Sequence, residues 1–232
     1  MMLTYQQSLE KLAALKADPF CENIGTAIWV NRLYMHRNFG WGRNIEELEK
    51  LELAQREFAQ ASQSIVSNIQ HYINDGFQKI CNVENIQSLA WQPELKWLYT
   101  DINTELMYAK HKSWVYFIVS GETIQKVGET GNPLGIRAQN SNQPRWATTC
   151  RLGRLASHKC NTDGRIRNEL KTDTAENKVS IWAKKCEIFS HEISVGGEKI
   201  NTQMTFHKEV ELQYIDYMSR NYFSPKLNQC RK

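Results

Sequence analysis

Tyr116, Lys126, Arg137 and Glu211 have the side-chain types needed to hydrolyse a phosphodiester. That reaction requires an in-line water, relief of charge on the phosphoryl oxygens and a stabilised leaving oxygen. The Glu211 carboxylate can hold one Mg²⁺, and the Arg137 guanidinium can grip a phosphate through two parallel hydrogen bonds. Tyr116 can orient or deprotonate the water, although a free phenol, with a pKa of about 10, is a poor base at neutral pH. Lys126, expected across a hairpin from it, supplies a positive charge that favours the phenolate. Each residue also has a plainer use. Tyr116 suits a core aromatic, Lys126 a solvated strand end, Glu211 a surface acid beside Glu209, and Asn228 a cap of the terminal turn. His207, one helical turn before Glu211, suits a surface position or a phosphate contact.

The elements that must position these residues begin at Trp114. The run Trp114–Val119 is apolar and β-rich, Ser120-Gly121-Glu122 is a turn, and Thr123–Val127 is a second strand. Asn132-Pro133 places an N-cap before a proline, which starts a helix to about Asn140. Val179–Ala183 alternates like a strand and continues into Cys186–Phe189, and Val195-Gly196-Gly197-Glu198 is a further turn. Phe206–Tyr222 is helical, with Val210, Ile215 and Met218 facing a core, and Ser224-Pro225 ends it. Glu129 and Thr130 at the end of the second strand have a structural use, bonding backbone at the helix start.

The first hundred residues read as helical. Thr4-x-x-Gln7 is a capping box before Leu9, Leu12, Ala13 and Leu15, and Asp18-Pro19 ends that run. Asn44-x-x-Glu47 opens a helix of about 30 residues, or one broken once, before Asn74-Asp75-Gly76. Between them, Arg37–Arg43 carries Trp41 between two glycines, as a tight turn or as an aromatic set against DNA, the turn being favoured.

At 232 residues the chain has room for one large domain or two small ones. No apolar run approaches the roughly 20 residues of a membrane span, and the N-terminus lacks signal-peptide character, so a cytoplasmic protein is expected. Six cysteines at irregular spacing include no Cys-x-x-Cys pair. Reduced thiols are expected, ahead of a metal site at Cys150, His158 and Cys160. The net charge of +4 is uneven: residues 1–100 carry 9 Lys and Arg against 11 acids, and residues 101–232 carry 20 against 14. Between 131 and 171, Arg137, Arg145, Arg151, Arg154, Lys159, Arg165, Arg167 and Lys171 face only Asp163 and Glu169. With Trp146 and the polar Asn140, Asn142 and Gln143, this suits a surface that tracks a phosphate backbone.

Taken in order, these elements resemble the GIY-YIG nucleases. Trp114-Val115-Tyr116 stands for the first strand motif, Lys126-Val127-Gly128 for the second, Pro133–Arg137 for the arginine, Glu211–Ile215 for the glutamate, and Pro225–Asn228 for the closing segment. The resemblance covers about residues 113–229. Trp114 departs from the usual glycine and Lys126 from the usual second tyrosine, and one extra residue separates Gly128 from the arginine. Arg165 and Arg167 are therefore rivals to Arg137.

The resemblance implies an α+β chain. A GIY-YIG-like domain over 106–232, with a short, mainly antiparallel sheet flanked by helices, follows a helical region over 1–105 that makes dimer or DNA contacts. It implies a metal-dependent endodeoxyribonuclease, most like a type II restriction enzyme. Tyr116, Lys126, Arg137, Glu211 and Asn228 would form its catalytic set, with Glu211 holding Mg²⁺ or Mn²⁺. Arg145, Arg151, Arg154, Lys159, Arg165, Arg167 and His207 would contact double-stranded DNA. A homodimer or higher homo-oligomer and a cognate DNA methyltransferase are the implied partners. A repair or mobile-element nuclease, or a catalytically silent DNA-binding module on the same fold, are the alternatives.

Overall fold

A computed structural model of the chain describes residues 3–40, 44–85, 95–100, 111–134, 151–152, 155, 164, 166–168, 170 and 178–231. The architecture is α+β, with N-terminal helices, a five-stranded antiparallel sheet, a separate hairpin and a C-terminal helix. Two compact units divide it: residues 1–71 with 217–223, and residues 72–216 with 224–232. None of the described helices is long and apolar enough to cross a membrane.

The first unit holds three helices whose ends follow from local chemistry. Helix α1 (Tyr5–Ala17) starts at Thr4, where both hydrogen bonds of the expected capping box form, and Pro19 follows its end. Helix α2 (Ala27–Phe39) is capped by the Thr26 hydroxyl, which accepts from the Trp29 N–H, and it stops at Gly40 in a left-handed conformation. Helix α3 (Ile45–Ser67) is capped by Asn44, and Glu46 and Glu47 sit favourably against its N-terminal dipole. It ends at Asn68, and a 3-10 turn, Ile69–Tyr72, replaces the rest of the longer helix expected. Cys21, Ile24, Trp29, Leu51 and Ala54 form the core, with Leu15, Phe20, Leu33 and Phe58 packed against it.

Helix α2 was not foreseen, because Ile28, Val30, Tyr34 and Phe39 are exposed and the segment shows no apolar face. Arg37, Asn38 and Phe39, expected in a loop, form its last turn. Trp41, Gly42 and Arg43 lie outside the described residues.

The second unit corrects the reading of a helical first hundred residues. Strands β1 (Gln78–Asn85) and β2 (Leu95–Tyr99) lie within that span and pair with one another. Their buried positions, Ile80, Cys81, Val83, Leu95 and Trp97, are too few per strand to announce a period of two. With β3 (Trp114–Ser120), β4 (Thr123–Thr130) and β5 (Val179–Lys185) they form an antiparallel sheet in the order β2-β1-β5-β3-β4. The expected run from β5 into Cys186–Phe189 is interrupted at Cys186 and Glu187. A second hairpin, β6 (Ile188–Val195) with β7 (Glu198–Thr205), begins there and turns at Gly196-Gly197 as expected. Helix α4 (His207–Arg220) and a 3-10 turn, Lys226–Arg231, close the chain.

Strand β3 lies between β5 and β4, and both faces of the sheet are covered there, so its residues are apolar and buried on both sides. Alternation sends Trp114, Tyr116 and Ile118 to one face, where they meet Ile181, Ala183, Leu134, Leu152, Ile166 and Leu227. It sends Phe117 to the other face, where its ring stacks on Phe77 at 4.0 Å between centroids. Tyr72 and Tyr214 pack edge-on against that pair, and Tyr214 brings α4 to this side of the sheet. The helix expected over 134–140 lies outside the described residues.

Candidate functional site

A cleft of about 550 Å³ opens at the C-terminal end of β4, lined by Tyr116, Lys126, Gly128–Asn132, Arg151, Ile166, His207 and Lys208. Strand β4 is at the sheet edge, so residues from both of its faces and from the following turn reach one opening. Thr130 shapes that turn: its hydroxyl accepts from the Asn132 N–H at 3.1 Å and donates to the Asn132 carbonyl at 3.3 Å.

Tyr116 forms the floor of the cleft. It stands opposite Gly128 in the β3–β4 ladder. A Cβ at Gly128 would lie 2.6 Å from the Tyr116 hydroxyl and 2.9 Å from Cε1, so the ring rests on the bare glycine backbone. The Tyr116 hydroxyl accepts a hydrogen bond from Arg151 Nε at 2.9 Å. A guanidinium there stabilises negative charge on the phenol oxygen. Arg151 is itself held by its backbone N–H, which donates to the Pro133 carbonyl at 3.0 Å.

Lys126 lies on the same face of β4 as Gly128 and is 4% exposed while lining the cleft, which is not the usual state of a strand-end lysine. Asn228 fixes the backbone between them. Its side-chain oxygen accepts from the Val127 N–H at 2.7 Å, and its amide donates to the Val127 carbonyl at 2.9 Å. One side chain thus acts as a partner for the outer edge of β4.

A second pinned group faces the opening from α4. His207 Nε2 lies 3.2 Å from Glu129 Oε2, and its Nδ1 lies 3.3 Å from Ser113 Oγ. The ring abuts Gly131, where an added Cβ would be 3.1 Å from Cε1. Glu211 follows His207 by one turn, so the two share a face of α4, and Glu211 is 3% exposed. It lies on the buried side of that helix. Glu211 does not itself line the cleft. Tyr116 and Tyr214 of α4 lie on opposite faces of the sheet, and the cleft at the β4 end is where Tyr116 and the start of α4 meet.

The structure therefore gathers Tyr116, Lys126, Arg151 and His207 at one opening, with Asn228 supporting its wall and Glu211 one turn beyond His207. Arg167 is elsewhere, with Nη1 donating to the Leu155 carbonyl at 3.5 Å. Arg137, Arg145, Arg154, Lys159 and Arg165 lie outside the described residues, as do Cys150 and His158. The contact of Arg151 with Tyr116 was missed, because nothing in a sequence distinguishes one arginine of a basic stretch from the next. The Ser113–His207–Glu129 set was missed because it joins three elements distant along the chain.

The oxygen donors near the opening, Glu129 and Glu211, suit a hard cation such as Mg²⁺ or Mn²⁺ rather than zinc. Among the described residues no three His, Cys, Asp or Glu side chains converge to hold a metal. An ion held by one carboxylate and completed by water and phosphate oxygens fits that arrangement, since Mg²⁺ usually keeps several of its waters. Cys21, Cys81 and Cys186 are free thiols, and burial pushes the Cys81 and Cys186 thiols up, so they are unreactive.

No protein-family model matches the sequence, and no curated protein matches it. Among solved structures the chain is similar to the restriction endonuclease HPY188I in complex with product DNA. The TM-score is 0.36 and the identity 17%, over 71% of this chain and 86% of that one. At that TM-score no role passes from one chain to the other.

Proposed function

We propose that the chain is a metal-dependent DNA endonuclease of the GIY-YIG kind, acting on double-stranded DNA as a type II restriction enzyme. The observation that carries this reading is the Tyr116 hydroxyl, seated on Gly128 and bonded to Arg151 at 2.9 Å in a cleft that also holds Lys126. A phenol bonded to a guanidinium, in a cleft also lined by an ammonium, is suited to act as an anion at a site that must also accept a phosphate.

In the proposed reaction a backbone phosphate enters the cleft and meets the Arg151 guanidinium. Tyr116, as the phenolate stabilised by Arg151 and Lys126, orients the attacking water and takes its proton to become the neutral phenol. Asn228 holds the β4 backbone under Tyr116, so it positions the site without touching the substrate. Arg137 remains the proposed second phosphate ligand, and His207 with Lys208 lies at the rim for DNA contacts. Glu211 would hold one Mg²⁺ or Mn²⁺, which when bound would neutralise phosphoryl and leaving-oxygen charge.

Cutting both strands needs two such sites, so a homodimer or higher homo-oligomer, in the cytoplasm and beside a cognate DNA methyltransferase, belongs to the same proposal. The test is supercoiled plasmid cleavage in Mg²⁺ and in EDTA by wild type, Arg151→Lys and Glu211→Gln, with DNA binding measured in parallel. Cleavage that requires the metal, falls about 100-fold or more in both variants, and is lost without loss of binding is expected. Unchanged cleavage in Glu211→Gln would refute the assignment, and binding with no cleavage in wild type would favour a silent DNA-binding module.

A further inference from the structure

The hairpin β6–β7 is no part of the cleft, and its strands pair only with each other among the described residues. Alternation places Phe189, Ile193 and Val195 of β6 on one face, with Met204 and Ile200 of β7 opposite Phe189 and Ile193; His191, Thr202 and Glu198 complete the face, which its five apolar residues dominate. All five are exposed, from 39% at Ile193 to 54% at Val195. Phe206, just beyond β7, meets Phe189 edge-on at 5.6 Å and extends the surface. The opposite face is mainly polar, with Ser190 across from Gln203, Glu192 across from Asn201 and Ser194 across from Lys199, and Ile188 at its end.

We infer that this apolar face is the docking surface for a second copy of the chain, the two ribbons packing face to face about a two-fold axis. A two-stranded hairpin that pairs with no other strand among the described residues is marginal in water, so a ribbon of eight residue pairs with one mainly apolar face calls for a partner. The exposed apolar side chains offer roughly 500 Å² per copy, more than half of the roughly 800 Å² per partner of a stable interface. Charge decides the class of partner. Residues 188–205 carry Lys199 against Glu192 and Glu198, a net of −1, and Lys199 is bound to Glu192 at 2.9 Å. Such a ribbon repels phosphates, so neither DNA nor an anionic membrane suits it.

The inference rests on the nuclease reading only for its expectation that two sites act together, and it is measured without DNA or metal. Sedimentation of the full chain at micromolar concentration is expected to give twice the chain mass for wild type. Ile193→Glu and Ile193→Lys are each expected to give a single chain, with association weakened about 100-fold or more, because a charge would be buried without a partner. An equimolar mixture of the two variants is expected to recover the dimer. Hydrogen exchange on the wild type covers the case in which a variant fails to fold: protection of residues 188–205 is expected to rise with protein concentration. A monomeric wild type, a dimer unaffected by either folded variant, or concentration-independent exchange would each overturn the inference. A monomer whose DNA affinity falls in Ile193→Glu would overturn it in favour of a nucleic-acid surface.

Discussion

Adding one methyl group at Gly128 separates a positioning role for this glycine from a backbone role. Gly128 is not among the glycines with positive φ, so its backbone is open to any residue and the constraint is the Tyr116 ring. A Cβ there would stand 2.6 Å from the ring hydroxyl and 2.9 Å from Cε1. Ordinary contacts are about 3.5–4.0 Å, so the overlap approaches 1 Å. Tyr116 is buried and tied to Arg151, which leaves the ring no route into solvent. Overpacking of this kind costs about 1–3 kcal/mol of stability. Displacing a reacting group by about 1 Å costs about 100-fold in rate. Gly128→Ala should therefore lower the unfolding free energy by that amount, read as a lower urea midpoint, and slow single-turnover plasmid cleavage about 100-fold. In a Tyr116→Ala background the same methyl should cost less than about 0.5 kcal/mol, because its obstacle is gone. Equal costs in the two backgrounds, or a fully active Gly128→Ala, would refute the reasoning.

Asn228→Ala removes both hydrogen bonds to Val127 and should destabilise the second unit by about 1–3 kcal/mol in urea unfolding. Asn228→Asp should recover little of that loss, since a carboxylate can accept from the Val127 N–H but would face the Val127 carbonyl with a second acceptor. Burial, and then the nearby charge of Lys185, hold the His111 imidazole below its ordinary value. Its folded form binds a proton less readily than the unfolded chain does. The associated stability is therefore present above the unfolded pKa of about 6.5 and is lost as pH falls through the folded value. The urea midpoint of His111→Gln should fall less steeply than that of wild type between pH 7.5 and pH 5.

What was legible from the sequence had a strong local signal. The β3–β4 hairpin carries an apolar run, a Gly turn and a second alternating strand, and its observed bounds differ from the expected ones mainly at the far end of β4. Thr4, Asn44 and the Gly196-Gly197 turn were visible because caps and turns depend on neighbouring residues alone. Strands β1 and β2 were hidden because β1 mixes Gln, Lys, Asn and Glu among its few apolar positions, and their partners lie far away in the chain. Residues later found at the cleft, Tyr116, Lys126 and His207, were named, yet their neighbours Glu129, Thr130 and Asn132 entered the site only through the fold. Which arginine meets Tyr116 is decided by the Arg151–Pro133 backbone bond, a long-range contact with no sequence signature.

The proposed function requires that Tyr116 and Glu211, the proposed metal ligand, serve the same phosphate. The direct measurement is paramagnetic broadening by Mn²⁺ in the NMR spectrum of tyrosine-labelled protein, with the Tyr116 signal assigned through Tyr116→Phe. Mn²⁺ should broaden the Tyr116 ring signal selectively in wild type, and Glu211→Gln should abolish the effect. A Tyr116 signal untouched by Mn²⁺, or broadened equally in Glu211→Gln, would contradict the account.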